Sequence, residues 1–208
     1  MTTLYQDYPM VVGGGGYAST TSAWPAVQQL STHTSTSFRY FGYLKSGSTM
    51  YNMQTQLYCD FSTELPTGAI PVDVDVHLNV TMSANSNAHY CYICYDVWGA
   101  PSGWTTADME TASNLDNYAN RCWGYFNTSW TSGVKRFYSS ASSVSDFTSR
   151  VGTATEWEVT VTSQHLNSYN STDPGTFSNY GKVLSSGNFV RVWYDLPHDH
   201  AMMNGCNL

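Results

Sequence analysis

His198, Asp199 and His200 form the densest ligand-like cluster of the chain. On a strand, two histidines spaced by one residue share a face, as some metal sites require. This pair follows Pro197 in the segment PHDHAMMNGCNL, with Asp195 and Cys206 nearby, where a polar tail is the plainer expectation. A second oxygen-rich set, Asp108, Glu110, Asn114, Asp116 and Asn117, falls within one irregular stretch. Calcium takes several oxygen ligands, commonly gathered by a loop, although a solvated acidic loop accounts for the same residues. The metal candidates are therefore His198, His200, Asp108 and Asp116. No cofactor is expected, Ca2+ in that loop being the single exception worth testing.

Paired carboxylates recur at Asp73 and Asp75 and at Glu156 and Glu158. Such pairs perform acid–base work when burial raises the pKa of one member. Both pairs alternate with Val or Trp, which predicts solvent-facing positions and argues against catalysis. No nucleophile elbow G-x-S-x-G occurs, and Gly13–Gly16 lacks the Lys and the following helix of a phosphate loop. No catalytic residue is expected, and the chain reads as non-enzymatic.

Five cysteines are present, and Cys91-Tyr-Ile-Cys94 has CxxC spacing. In redox enzymes that motif opens a helix. Here it lies in AHYCYICYDVW, a strand-like run, so buried thiols are expected instead. One disulfide among Cys59, Cys94 and Cys122 would suit an oxidising environment. Seven tryptophans are too many for one core. Trp98, Trp104 and Trp130 fall in or beside expected loops and, with Tyr118, are the ligand or interface candidates, because exposed aromatics stack on sugars and anchor protein contacts. Trp123, Trp157 and Trp193 are expected in the core.

The elements that must hold these residues are strands. Val72, Val74, Val76, Leu78 and Val80 alternate with Asp73, Asp75, His77, Asn79 and Thr81. A period of two predicts one dry face and one wet face. Leu65-Pro66-Thr67-Gly68 predicts the turn before that strand. Further strands are predicted over 37–44, 50–61, 88–97, 122–126, 133–140, 155–162, 181–185 and 188–194, with a tight hairpin at Ser185-Ser186-Gly187-Asn188. Lys135-Arg136, the sole basic dipeptide, predicts a solvated turn. Residues 1–37 show no regular period, contain the Gly13–Gly16 run, and read as a flexible arm. The expected organisation is an arm over 1–37, an antiparallel all-β sandwich over 38–196, jelly-roll-like, and a tail over 197–208.

Charged residues make up 11% of the chain, against roughly 25% in an average soluble domain. The net charge is −7, with eight Lys and Arg in total. Phosphate binding needs clustered positive charge, so nucleic acid is not an expected partner. No apolar run approaches the roughly 18 residues of a membrane span, so no membrane partner is expected. The N-terminal MTTLYQDYPMVVGGGG lacks a basic stretch followed by an apolar one. A hydroxyl- and aromatic-rich surface without a secretion signal leads to the expectation of a virion protein, with an extracellular protein as the alternative.

The segments QLYCDFSTELPTGAIPVDVDVHLNVTMS, YDVWGAPSGWTTAD, TEWEVTVTSQHLNSY and YGKVLSSGNFVRVWY, taken in order, resemble the DNRLRE-type β-sandwich family over about residues 50–194. The Leu65, Pro66, Gly68, Ala69 turn and the alternating strand after it carry most of the likeness. Gln54 and Gln56 stand where that family has an Arg, and the Gly99–Asn120 stretch is longer than its pattern. The resemblance implies a jelly-roll sandwich similar to carbohydrate-binding modules, with no catalytic residue. The functional expectation is a self-assembling virion structural protein: a capsid surface, spike, fibre or decoration subunit. Its partners would be other copies of itself, other virion proteins and host-surface glycans. The alternative is a carbohydrate-binding or adhesive module of a secreted or cell-surface protein.

Overall fold

A computed structural model describes residues 3–20, 29–32, 38–82, 90–95, 122–127, 131–138, 156–163 and 179–196. Among these residues every regular element is a strand, and every pairing between strands is antiparallel. The described part of the chain is all-β, as its alternation predicts. In order the strands are β1 (Thr3–Thr20), β2 (Gln29–Thr32), β3 (Phe38–Ser46), β4 (Thr49–Asp60), β5 (Ile70–Met82), β6 (Tyr90–Tyr95), β7 (Cys122–Asn127), β8 (Gly133–Tyr138), β9 (Glu156–Ser163), β10 (Asn179–Leu184) and β11 (Phe189–Asp195). They join in one hydrogen-bonded sheet.

Strand β5 organises the part that matters for function. Val80 pairs with Gly133 of β8 and with Val183 of β10, while Val76 pairs with Phe137 of β8 and Val190 of β11. A strand residue has only two edges, so β8 holds one edge of β5 and β10 and β11 share the other, end to end. Beyond them, β3 pairs with β10 and the first half of β1 pairs with β11. The two then diverge and flank β4 on opposite edges. On the β3 side of β4, the edge passes on to β9 and thence to β6 and β7.

This arrangement places one core against many strands. Val74, Val76, Leu78 and Val80 of β5, Val190 and Val192 of β11, Leu57 and Cys59 of β4, Val159 and Val161 of β9, and Phe41, Phe137, Tyr8 and Phe61 belong to a single buried cluster. Each such aliphatic side chain contributes roughly 1.5–3 kcal/mol through burial. The sheet therefore folds over one core. A division into two packed layers is a finer description than the pairing itself makes.

Several expectations change. Thr3–Thr20, read as part of an arm, is a strand of the sheet that buries Tyr8 and Met10. Its glycine run is the site of a register shift between Val12 and Gly15, opposite the fully buried Gln56. Residues 197–208, the expected tail, lie outside the described residues. Ser185–Asn188 makes no hairpin, because β10 and β11 run in the same direction along β5. Val72 is 45% exposed rather than buried, since the register between β5 and β11 shifts at Trp193/Tyr194. The turn expected at 65–68 forms one residue later, over 66–69. The Ala69 N–H donates to the Pro66 carbonyl at 2.9 Å, and Gly68 supplies the φ of 80° that the third turn position needs.

Candidate functional site

The outer face of β8, β5, β11 and β1 carries the densest polar and aromatic grouping among the described residues. In an antiparallel ladder, directly opposed residues share a face. One row across the four strands is Tyr138, Asp75, Arg191 and Asp7; the next is Arg136, His77, Phe189 and Pro9. Trp193 opposes Tyr5 on one side and Asp73 on the other. Alternation on each strand thus sends these side chains away from the valine core.

Asp75 is the hub. Its Oδ2 accepts Nε and Nη2 of Arg136, at 2.9 and 2.5 Å, and Nε1 of Trp193 at 2.6 Å. Both donors reach it diagonally, from positions two residues away in register. The carboxylate is fully buried, whereas the Arg136 side chain is 38% exposed. The expectation that Asp75 faces solvent is therefore overturned: three charge-assisted or indole donors lie across it. Asp73 instead turns its Oδ1 to the N–H of Val74, at 2.8 Å.

A second ion pair lies one strand over. Arg191 donates through Nε and Nη2 to the two oxygens of Asp7, at 2.7 and 2.8 Å. That hydrogen-bonded pairing raises the already high pKa of the guanidinium. Bidentate geometry fixes the plane of the guanidinium as well as its position.

Aromatic rings interleave with these cations. Arg136 sits over Tyr138 at 4.4 Å and towards Trp193 at 5.6 Å. Arg191 sits over Tyr5 at 4.0 Å and towards Trp193 at 5.7 Å. Tyr138, Arg136, Trp193, Arg191 and Tyr5 thus form an alternating ladder of rings and guanidiniums. Each such contact is worth about 0.5–1 kcal/mol where exposed. Beneath it, His77 is 8% exposed and stacks on Phe189 at 4.3 Å and 13°. Burial, reinforced by Arg191 and Arg136, pushes the imidazole below its ordinary pKa, so it is neutral at pH 7.

Each arginine is matched by one carboxylate, and the rings at both ends are open, Tyr5 at 53% and Tyr138 at 64% exposure. Among the described residues no group of three His, Cys, Asp or Glu is placed to hold a metal ion.

Of the residues singled out from sequence, Asp73 and Asp75 lie on this face. Trp98, Trp104, Trp130 and Tyr118, and likewise His198, His200, Asp108 and Asp116, lie outside the described residues. Glu156 and Glu158 belong to β9, opposite Asp60 and Tyr58 of β4. Trp193, expected in the core, is half-buried on the outer face. Arg136 lies in β8, within the strand expected over 133–140, but instead of belonging to a solvated turn it pairs with a buried carboxylate. The signal that could have found these residues is alternation in the last strand, FVRVWYD: valines take one face and Phe189, Arg191 and Trp193 the other. Neither a scan against protein-family models nor a search of curated proteins finds a match to this chain.

Proposed function

We propose that this chain is a non-enzymatic structural protein of a virion surface, a capsid, spike, fibre or decoration subunit that assembles with other copies of itself and with other virion proteins. The observation that carries this reading is the outer-face ladder. Its ionisable groups are engaged with one another, Asp75 with Arg136 and Asp7 with Arg191, which leaves rigid aromatic and arginine surface to make contacts. Tyr, Trp and Arg dominate the energetics of protein interfaces, and groups fixed beforehand lose little freedom on contact. The low charge and absence of a basic stripe in the sequence support partners other than nucleic acid.

A second reading, a carbohydrate-binding or adhesive module of a secreted or cell-surface protein, draws on the same exposed tyrosines and on the resemblance to DNRLRE-type sandwiches. The oligomeric state of the full chain separates the two. Light scattering over a wide concentration range, with electron microscopy of the product, is expected to give a closed assembly of fixed copy number. A chain that stays monomeric throughout would sink the virion-subunit reading. Removing residues 1–37 is not a usable variant, because it deletes β1 together with buried Tyr8 and Met10.

A further inference from the structure

We propose that the first half of β1, Thr3–Val12, crosses from its own sheet to that of a second copy of this chain, with Gly13 and Gly14 as the hinge. The inference rests on the structural-subunit reading above and names the segment that joins the copies.

Strand β1 is two segments meeting at an irregular point. Residues 3–9 pair with β11 and residues 10–12 with β4, each along one edge among the described residues. Residues 16–19, in contrast, are held between β2 and β4. The first segment can therefore leave without parting two neighbours. At the junction Val12 opposes Leu57 and Gly15 opposes Thr55. Gly13 and Gly14 thus share the single position of Gln56, which is the definition of a β-bulge. Two glycines there let the backbone take a second path at little steric cost.

An independent observation marks the same place. Gln56 is fully buried, and neither its Oε1 nor its Nε2 finds a hydrogen-bond partner among the described residues. Buried polar atoms in native proteins are overwhelmingly partnered. The closed path of β1 therefore carries a cost opposite its bulge. A crossing strand redraws the backbone at this point and keeps its other contacts, so exchange changes the energy at the hinge alone.

What the segment leaves behind fixes the occupant. Tyr8 and Met10 are buried; Tyr8 donates to the Thr63 carbonyl at 3.0 Å and meets Phe61 edge-on, ring centroids 4.9 Å apart. Arg191 holds both oxygens of Asp7, Thr3 donates to Asp195 at 2.9 Å, and the Met10 N–H donates to the Asn188 carbonyl. A vacated socket would expose an aromatic wall beside an unmatched guanidinium. The segment that fits it in shape, charge and register is Thr3–Val12 of another copy. Exchange of an identical element is a low-cost route to oligomers. It also makes the outer-face ladder a shared structure, because Tyr5 and Asp7 then come from the second copy.

Disulfide mapping tests the exchange. Thr3 and Asp195 are opposed at an exposed position, and opposed strand residues lie within reach of a disulfide. One full chain carrying Thr3→Cys and another carrying Asp195→Cys are produced in the same cells, purified together under reductant, diluted and oxidised. A 3–195 disulfide can then join only two chains, and peptide mapping is expected to find it. Ser48→Cys, in the exposed turn between β3 and β4, should form no such link with Asp195→Cys. With both substitutions in one chain, the 3–195 link should again run between copies on a non-reducing gel. Links confined to single chains, no 3–195 link in either format, or linking by Ser48→Cys as readily as by Thr3→Cys would each overturn the proposal. Light scattering of the same samples separates the two readings. Intrachain links inside an assembly of fixed copy number end the exchange and leave the structural subunit standing, whereas intrachain links in a monomer end both.

Discussion

The side chain of Asn188 takes the place of backbone opposite Asn79. Its Oδ1 accepts the Asn79 N–H at 2.8 Å, and its Nδ2 donates to the Leu184 carbonyl at 2.6 Å. Between β10 and β11, residues 184–188 face only Leu78 and Asn79, so the ladder along β5 is interrupted there. A buried amide group fills the interruption. The Asn188 carbonyl also accepts the Met10 N–H at 2.9 Å, at the point where β1 leaves β11. Gly187 turns the excursion with a φ of 81°.

Asn188→Ala should therefore destabilise the chain by about 2–3 kcal/mol, since it leaves a donor and an acceptor unpaired. Asn188→Asp keeps the acceptor but sets a carboxylate against the Leu184 carbonyl, and should cost at least as much. Urea denaturation of both variants checks this. A loss below about half a kcal/mol in Asn188→Ala would mean that water replaces the amide without penalty.

The Asp75 hub makes a different kind of prediction, one about pairs. Arg136→Met leaves a buried carboxylate with the Trp193 indole as its remaining donor among the described residues, and should cost about 2–3 kcal/mol. Adding Asp75→Leu in the same chain should recover most of that loss, because a buried ion pair exchanged for apolar groups is often neutral. A double variant as unstable as the sum of the singles would show that the pair is not coupled.

How far the sequence reveals this protein depends on the range of the signal. The period of two from Val74 to Val80 is local, and it yields β5, its core face and the all-β class. Pro9 and the run Gly13–Gly16 carry no such period, so β1 is legible only through its partners β11 and β4. The same limit hides the site. Alternation says that Asp75 and Arg191 leave the core, but Asp75 becomes buried only because Arg136 and Trp193, 61 and 118 residues away, lie across it. Ser-Ser-Gly-Asn spells a hairpin by composition, yet the excursion it makes is fixed by Asn79 on another strand.

The register of β6 and β7 bears on the cysteines. Cys94 and Cys122 are opposed across the pair, where the register shifts after Ile93. Opposed residues in an antiparallel pair have Cα atoms about 4.5–5.5 Å apart, within the range a disulfide spans. Of the three cysteines expected to share one disulfide, Cys59 is buried in the core on another strand. Peptide mapping of air-oxidised protein without reductant should find Cys94 linked to Cys122 and Cys59 recoverable as a thiol. A Cys59-containing disulfide would contradict this register.

His77 links the ladder to pH. Burial is the main reason its pKa is lowered; Arg191 and Arg136 add to the effect, while Asp75 and Asp7 oppose it. In the unfolded chain the imidazole titrates near its ordinary value of about 6.5. The unfolded state therefore takes up the proton first as pH falls, and stability drops in that window. The contribution is complete above about 6.5 and is lost progressively as pH falls from there towards the folded pKa. His77→Phe keeps a ring against Phe189 and removes a buried nitrogen that lacks a partner. That variant should match the parent within about 1 kcal/mol at pH 7.5 and should lose less stability between about pH 6.5 and pH 5, above the ordinary carboxylate range. The difference between the two urea-denaturation series isolates His77 from the other histidines. Parallel pH profiles would show that the imidazole titrates alike in the folded and unfolded chains, and that the ladder does not shield it from protons.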